Sequence, residues 1–211
     1  DNCRVAESGD VLVLAVKPVY MEEVIEEIAD AVRPETIVVT LAPGKTLKWL
    51  DATFGRPTKL VRTMPNTPAL VGEGMTALCP NEFVQPEELE QVARIFRSFG
   101  KAQVVSETMS DVVTGISGSS PAYVFLFIEA MADAAVAEGM PRAQAYEFAS
   151  QAVLGSAKMV LETGKHPGEL KDMVCSPGGT TIEGVRVLEE KGLRSAVFEA
   201  TRACVKKARE L

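Results

Sequence analysis

A glycine-rich turn, Ser176–Thr181, carries the clearest chemical signal in the sequence. It precedes an apolar stretch with helical periodicity, so its two threonines fall at the start of a predicted helix. The unpaired N–H groups at such an end, together with the positive end of the helix dipole, bind anions such as a carboxylate. The alternative is a simple turn in which a threonine caps the helix. The residues alone leave both interpretations open.

Three further loops bear proline or glycine, and each follows an apolar strand candidate: Ala15–Pro18, Ala42–Gly44 and Met64–Pro68. In an open α/β sheet, ligands bind at the edge where the strands have their carboxyl ends. The three loops therefore predict a ligand crevice at that edge. The sequence holds no G-x-G-x-x-G turn, so these loops are not predicted to hold a pyrophosphate.

A polar segment at residues 107–123 begins with Glu107 and leads into an apolar helix. Gly118 and Pro121 predict a forced backbone path at the start of that helix, with Ser119 or Ser120 as its N-cap. A serine nucleophile is not expected, because the chain has a single histidine and that residue shows no triad context.

Side chains for metal or nucleic-acid binding are sparse. The single histidine, His166, precedes a proline and is assigned to the surface entry of a helix. The net charge of −7 argues against nucleic-acid binding, and no apolar run is expected to span a membrane, since the longest ends at Glu129. No zinc site is expected, and free thiols in a reducing cytoplasm are predicted, because the four cysteines are scattered without a CxxC pair: Cys3, Cys79, Cys175 and Cys204.

The elements that position these residues change character near residue 106. Before it, helices alternate with five strand candidates, at 10–16, 36–40, 60–64, 75–78 and 103–105. After it, the sequence predicts only helices, at 109–117, 120–138, 142–163, 167–173, 180–191 and 193–210. The predicted fold class is therefore α/β followed by all-α, with a partial Rossmann-type, parallel or mostly parallel sheet in residues 1–106 and a helical domain in residues 107–211.

One predicted helix of the second half has an apolar stripe with many small residues: Leu126, Phe127, Ala130, Met131 and Ala134. Core packing alone would explain that stripe. The helical half nevertheless has little mass with which to bury several apolar helices, and pairing with a second copy would bury them. A homodimer through the helical half is therefore expected.

Together, five motifs resemble the pyrroline-5-carboxylate reductase family in their order and spacing: Ala15–Pro18, Met64–Gly74, Ser117–Tyr123, His166–Asp172 and Ser176–Thr181. The resemblance implies a Rossmann domain followed by a helical dimerisation domain. It implies the reduction of 1-pyrroline-5-carboxylate to L-proline by hydride transfer from NADPH or NADH. It also implies dimers that gather into larger rings, such as a decamer, and a cytoplasmic enzyme.

The resemblance further implies roles for individual residues. The cofactor positions are matched by Asn2, Ala15, Val16, Lys17, Pro18, Ala42, Pro43 and Gly44. The substrate positions are matched by Glu107, Gly179, Thr180 and Thr181. Backbone N–H groups near Gly179 would hold the substrate carboxylate, and the hydroxyl of Thr181, the catalytic residue, would hydrogen-bond the ring nitrogen. Catalysis would then consist mostly of positioning and charge stabilisation.

The sequence departs from the family pattern in three places. The first strand, the glycine-rich turn, the first helix and the second strand of the family are expected before Asp1, so this chain as it stands is expected to bind the cofactor poorly or not at all. Pro43 stands where alanine is common, and Ser120 where glycine is usual. Two other functions stay open: a β-hydroxyacid-type dehydrogenase that uses Lys158 or Lys171, and a non-catalytic dimerising module.

Overall fold

The computed structural model describes residues 1–41 and 44–210, and within those ranges it has a five-stranded sheet and ten α-helices. The strands are β1 (Val11–Leu14), β2 (Ile37–Thr40), β3 (Lys59–Met64), β4 (Gly74–Pro80) and β5 (Gly100–Val104). The helices of the sheet-containing half are α1 (Asn2–Ser8), α2 (Met21–Ile28), α3 (Leu47–Phe54) and α4 (Pro86–Arg97). The predicted order of strands and helices is confirmed, with α1 in addition.

The strands follow one another across the sheet in chain order. The first three are mutually parallel, β4 is antiparallel to β3, and β5 is parallel to β4. The carboxyl ends of β1, β2 and β3 therefore meet at one edge. Because Met64 is opposite Ala77, the start of β4 at Gly74 lies at that same edge. A mostly parallel sheet is confirmed, and the reversal at β4 adds a fourth strand end to the predicted crevice.

Both faces of the sheet are covered at the inner strand β2, which explains why that strand has no exposed face. One core packs α2 and α3 onto Leu12, Leu14, Val38 and Leu60. The other core packs α4 onto Ile37, Val39, Val61 and Leu78. Successive residues of β2 thus alternate between two buried cores, and the strand has no polar face.

The second half begins with a single long helical segment, Glu107–Ala137, of 31 residues. It consists of a 3₁₀ turn (Glu107–Met109), α5 (Ser110–Val113), a π-helical turn (Thr114–Gly118) and α6 (Ser120–Ala137). The remaining helices are α7 (Arg142–Thr163), α8 (Pro167–Val174), α9 (Thr180–Glu190) and α10 (Leu193–Ala208). All six helices predicted for this half are therefore present, but the first two of them form one continuous segment.

The predicted N-cap at Ser119 or Ser120 is wrong, because both residues lie inside the joined helix. The N–H of Ser119 donates to Thr114 O at 2.9 Å, which is the wider hydrogen bond of a π-turn. The hydroxyl of Ser120 donates to Ile116 O at 2.5 Å, one helical turn back. Neither side chain is left to cap a helix start.

The joined helix also corrects the expectation that no apolar run reaches membrane-spanning length. By length and composition alone it could cross a bilayer: its 18-residue window has a mean hydropathy of 1.4, and 6% of that window is buried. The sequence interpretation stopped the run at Glu129, whereas the helix continues to Ala137. Its large exposed apolar surface is therefore a property of the fold that needs an explanation.

Two compact units make up the described chain: Asp1–Pro121 with the residues from Thr201 onward, and Ala122–Ala200. The end of α10 packs in the first unit, where Cys204 Sγ donates to Ser119 Oγ at 2.9 Å. Within the second unit, the buried apolar side chains of the part that is described are limited to Ala132, Ala145 and Ala149. The predicted boundary at residue 106 follows the end of β5 and stays a prediction about domains.

Candidate active site

The predicted cofactor residues lie mainly in the loops at the carboxyl edge of the sheet. Ala15, Val16, Lys17 and Pro18 follow β1; the first and third are exposed, and the others are half-buried. Gly44 follows β2 in a left-handed conformation, with a φ of 78°. Ala42 and Pro43 lie outside the described residues. The structure thus brings the two described loops to one edge, as the parallel strands predict.

Asn2 differs from the other predicted cofactor residues because its side chain is already engaged. It is the first residue of α1, and its Nδ2 donates to Glu27 Oε2 of α2 at 2.7 Å. Asp1 caps the same helix by accepting from Cys3 N at 3.0 Å. A cofactor contact by the Asn2 amide would have to compete with the bond to Glu27.

A cavity of 630 Å³ lies beside the loop that joins β3 to β4. Its wall is largely apolar, with polar groups from Asn66 and Thr67, and its apolar lining includes Val13, Leu41, Pro65, Phe96, Phe99 and Gly118. Its volume and its mostly apolar wall with a few polar groups are typical of sites for small molecules. A crevice is therefore present at the carboxyl edge, but of the three predicted loops only Met64–Pro68 lines it among the described residues.

Glu107 lies in a second, polar cavity of 350 Å³, which is also lined by Gly44, Thr46 and Arg62. Its Oε1 accepts from Leu47 N at 2.7 Å, at the start of α3, and from Arg62 Nη1 at 3.0 Å. Among the described residues, its Oε2 has no hydrogen-bond partner. The structure thus brings a predicted substrate residue and a predicted cofactor residue, Glu107 and Gly44, into one cavity.

Arg62 is the functional residue that the sequence interpretation missed. It lies in β3 between the buried residues Val61 and Thr63, and its side chain is 11% exposed. A buried guanidinium needs a partner, because an isolated charge away from water is strongly destabilising. An arginine within an apolar strand was therefore a usable signal, and its partner is the carboxylate of Glu107.

The glycine-rich turn has the conformation that its residues predict. Gly179 N donates to Ser176 O at 3.0 Å, and Gly178 between them has a φ of 67°. Proline followed by a left-handed glycine is typical of a type II turn. Helix α9 then begins at Thr180, with Gly179 as an N-cap that makes no side-chain bond. The interpretation of a threonine N-cap is therefore wrong.

The start of α9 offers its first N–H groups to a ligand. Those of Thr180, Thr181 and Ile182 have no partner within the helix, as at any helix start. The N–H of Gly179 differs, because it is already bonded to Ser176 O. Thr180 is exposed and Thr181 is half-buried. An anion held here would therefore be bound by the N–H groups that follow Gly179 rather than by its own.

Three other nucleophilic or titratable side chains, Cys79, Asp51 and His166, make hydrogen bonds within the fold. All four cysteines are free, as predicted, and burial raises the pKa of the Cys79 thiol despite its hydrogen bond with Ser110. Burial also raises the pKa of Asp51, against the hydrogen bond from Asn81. His166 caps α8 through Nδ1, which accepts from Gly168 N at 3.0 Å, so the predicted helix entry is confirmed.

The two lysines considered for a dehydrogenase are both in ion pairs on helix surfaces. Lys158 pairs with Glu162 at 3.5 Å, and both side chains are largely exposed. Lys171 pairs with its neighbour Asp172, which raises the pKa of the ammonium group. A catalytic lysine needs a desolvated setting that lowers its pKa. Neither residue has one in this chain.

A mostly parallel sheet with loops at its carboxyl edge, followed by helices, is the architecture of Rossmann-type nucleotide-binding proteins with a helical domain. Residues 107–211 match the family described as pyrroline-5-carboxylate reductase dimerisation. The chain is 60% identical to the pyrroline-5-carboxylate reductase of Escherichia coli K12 over 208 residues, which are 99% of this chain and 77% of that protein.

Solved structures agree with this similarity. A pyrroline-5-carboxylate reductase from Coxiella burnetii has a TM-score of 0.94 and 39% identity, with coverage of 100% of this chain and 78% of that one. The Plasmodium falciparum pyrroline carboxylate reductase, solved with NADP bound, has a TM-score of 0.90 and 34% identity, with coverage of 100% and 80%. The chain belongs to the pyrroline-5-carboxylate reductase family. Its activity is the reduction of 1-pyrroline-5-carboxylate to L-proline with a nicotinamide cofactor.

Proposed function

We propose that NADPH serves this reduction and that the turn Ser176–Thr181 binds the substrate. The observation that carries the proposal is the start of α9, where the first N–H groups follow a cap without a side-chain bond. This is a ready site for an anion, and the substrate has one carboxylate. The NADP in the Plasmodium falciparum relative supports the choice of cofactor.

The catalytic contribution that we assign to Thr181 is a hydrogen bond to the ring nitrogen. When bound, the nicotinamide would supply a hydride to the carbon of the protonated imine, so that the positive charge at the nitrogen is lost in that step. The carboxylate, held by the N–H groups of Thr180 and Thr181, fixes the orientation of the ring. The hydroxyl of Thr181 then lies on the side of the nitrogen and stabilises its changing charge. No protein nucleophile is required.

Glu107 has a second role in this proposal. Its Oε1 is bound by Arg62 and by the start of α3, so the carboxylate is fixed. The free Oε2 can accept a hydrogen bond from a ligand in the polar cavity. Since Gly44 lines the same cavity, we assign to Glu107 a contact with the ligand beside the cofactor loop.

The residues at the carboxyl edge fit the nicotinamide half of the cofactor. Gly44 has no side chain and a left-handed backbone, and the neighbouring apolar cavity of 630 Å³ can take a flat ring. We assign cofactor contacts to the loop Ala15–Pro18 and to the turn that contains Gly44. Within the described ranges, no strand leads through a glycine-rich turn into a helix, so these residues would bind the part of the cofactor other than its pyrophosphate.

We assign the helical region to homodimerisation, in agreement with the description of the family that residues 107–211 match. The exposed apolar residues of α6 and α7 support this, because one copy leaves them uncovered. Larger rings of dimers and a cytoplasmic location complete the proposal. The four free cysteines favour a reducing compartment.

The test is an assay of the intact protein with 1-pyrroline-5-carboxylate and NADPH, and with NADH in parallel. We expect NADPH oxidation with formation of one proline per cofactor, at a higher kcat/KM than with NADH. A hydroxy acid with NADP serves as the comparison substrate. If only the hydroxy acid is turned over, the proposed function is wrong, and if NADH gives the higher kcat/KM, the proposed cofactor is wrong.

A further inference from the structure

The carbonyl of Ser117 has lost its usual helical partner. In an α-helix the carbonyl of one residue accepts from the N–H four residues later. That residue is Pro121, which has no N–H. Asn66 Nδ2, from the loop between β3 and β4, donates to Ser117 O at 3.0 Å. The side-chain amide of Asn66, from this loop, therefore takes the place of the backbone N–H that a residue other than proline would supply at position 121.

The other groups of Asn66 fix its own position. Its Oδ1 accepts from Met75 N of β4 at 2.8 Å, and its carbonyl accepts from Ala69 N at 3.2 Å. The residue is thus bound to a strand, to its own loop and to the long helix. A change at Asn66 cannot be absorbed by rotation of its side chain without losing one of these bonds.

The contact between the end of β3 and the long helix is close. A Cβ on Gly118 would lie 2.9 Å from Met64 Cε, and that flexible end of the side chain would have to move to make room. Ser117 and Gly118 belong to the π-helical turn, and π-turns inside α-helices are frequent at functional sites. Asn66 and Gly118 line the same cavity of 630 Å³. The bond from Asn66 thus ties the π-turn to the wall of the cavity.

We propose that Asn66 is a positioning residue for the reduction, which it serves by holding the π-helical turn Thr114–Gly118 in place at this wall through the carbonyl that Pro121 leaves free. The proposal rests on the proposed function in assigning the cavity to the reaction. A wall that shifts by a fraction of an ångström misplaces the bound groups and lowers kcat more than it weakens binding.

The central variant is Asn66→Asp, which keeps an oxygen for Met75 N but presents a second oxygen to Ser117 O instead of an N–H. In the intact protein we expect kcat to fall about 10-fold, as for the loss of one hydrogen bond at the upper end of its range. KM for both substrates should change by less than about threefold, because the binding groups themselves are retained.

A second substitution makes the test specific. Pro121→Ala restores a backbone N–H four residues after Ser117 and should by itself leave kcat near the wild-type value. Combined with Asn66→Asp, it should return kcat to within about threefold of the wild type, since the carbonyl regains a partner. If Asn66→Asp lowered kcat through a general loss of packing, Pro121→Ala would not restore it.

Asn81 provides a matched control at the opposite end of the β3–β4 pair. Its Oδ1 accepts from Leu60 N at 3.1 Å and its Nδ2 donates to Thr58 O at 2.8 Å, so it bonds two backbone groups as Asn66 does; its Nδ2 also donates to Asp51 Oδ1 at 3.2 Å. It is not among the residues that line the cavity of 630 Å³ or the cavity of 350 Å³. Asn81→Asp should lower Tm and leave the kcat of the folded enzyme unchanged.

Three results would overturn the inference: wild-type kcat in Asn66→Asp, no recovery with Pro121→Ala, or an equal loss of kcat in Asn81→Asp. A wild-type protein without reductase activity would instead contradict the proposed function. The link to Ser117 would then still be tested by Tm, because Pro121→Ala should reduce the Tm loss of Asn66→Asp. Equal Tm losses in both backgrounds would contradict the link itself.

Discussion

At the scale of the residue, the site is built from groups that have both a structural and a chemical task. Glu107 illustrates this, because one carboxylate oxygen neutralises the buried Arg62 and caps α3 at Leu47 N. Removal of Glu107 would leave a buried guanidinium without its partner, which is strongly destabilising. A loss of activity in a Glu107 variant would therefore not identify a substrate contact, and Thr181 is the better residue to test.

Thr181 is free of a capping task, since α9 has Gly179 as its N-cap. If its hydroxyl bonds the substrate nitrogen, Thr181→Ala should lower kcat/KM about 10- to 100-fold, as for a hydrogen bond to a charged group. The affinity for NADPH should not change. Thr181→Ser retains the hydroxyl and should keep most of the activity. Steady-state kinetics of the intact protein, together with cofactor titration, measure both effects.

Thermal unfolding of the same variants supplies the control for Thr181. Loss of a capping side chain would lower stability by about 1 kcal/mol, whereas the structure predicts a Tm near that of the wild type. A Thr181→Ala enzyme with a lower Tm and unchanged kcat/KM would remove Thr181 from the site. Thr180→Ala serves as the neighbouring comparison, because its exposed side chain lies one residue away on the same turn.

At the scale of the element, α4 shows how one side chain fixes a helix to the sheet. Glu88 closes a capping box by accepting from Gln85 N at 2.9 Å, and it pairs with Lys59 of β3. The hydrogen bond from Lys59, followed by that from Gln85 N, lowers the pKa of Glu88. Both contacts therefore favour the ionised carboxylate in the folded protein.

The lowered pKa gives the sign of a pH effect on stability. The stabilisation by Glu88 is fully present above the unfolded value of about 4.3 and is lost as the pH falls through the lower folded value. Glu88→Gln keeps an acceptor for Gln85 N but loses the ion pair. It should be less stable than the wild type by about 0.5–1 kcal/mol at neutral pH. Urea unfolding as a function of pH measures the difference.

The difference between Glu88→Gln and the wild type should shrink to nothing well below the folded pKa. Glu87→Gln is the matched control, because Glu87 is in the same first turn and is exposed. It should change stability little at any pH. If the difference in unfolding free energy between Glu88→Gln and the wild type persists unchanged in acid, the charge of Glu88 does not stabilise the start of α4.

The regular elements were predictable from the sequence because their signals are local. The apolar strands, the helices and the glycine-rich turn each depend on a few adjacent residues, and they are confirmed, although the caps predicted at Ser119 or Ser120 and at a threonine of the turn are wrong. The direction of β4 was not predictable, because it depends on the path of the loop after Met64. Helix α1 was missed because, at seven residues, it depends on a cap by Asp1 and on packing against α2.

The joined helix and its π-turn were not predicted from the sequence, for a different reason. Proline and two serines near Gly118 have the local chemistry of a helix start, and that is how they were interpreted. The carbonyl of Ser117 and the hydroxyl of Ser119 instead accept hydrogen bonds from residues far along the chain, Asn66 and Cys204. Contacts of that separation cannot be derived from a local pattern. The sequence accordingly predicted which loops form the candidate site. It did not predict the contacts that Arg62 and Asn66 make between its parts.

At the scale of the whole molecule, the second compact unit lacks a core of its own. Its described buried apolar residues are alanines, while large side chains on its helices are exposed. Phe125 of α6 is 62% exposed, and Phe148 of α7 is 68% exposed. Apolar surface of this extent on helices marks an interface. An interface between copies would also cover the long apolar helix, with no need for a bilayer.

We therefore expect the intact protein to sediment at micromolar concentration with at least twice the mass of one chain. Phe148→Glu should weaken the assembly and make Tm depend on protein concentration, because a charge would be buried at the interface. Val71→Glu is the matched control, since Val71 is 78% exposed but lies in the sheet-containing unit. Its mass should equal that of the wild type. A wild-type protein that sediments as a stable monomer would contradict the dimer, and loss of mass in both variants would mean that exposure alone does not locate the interface.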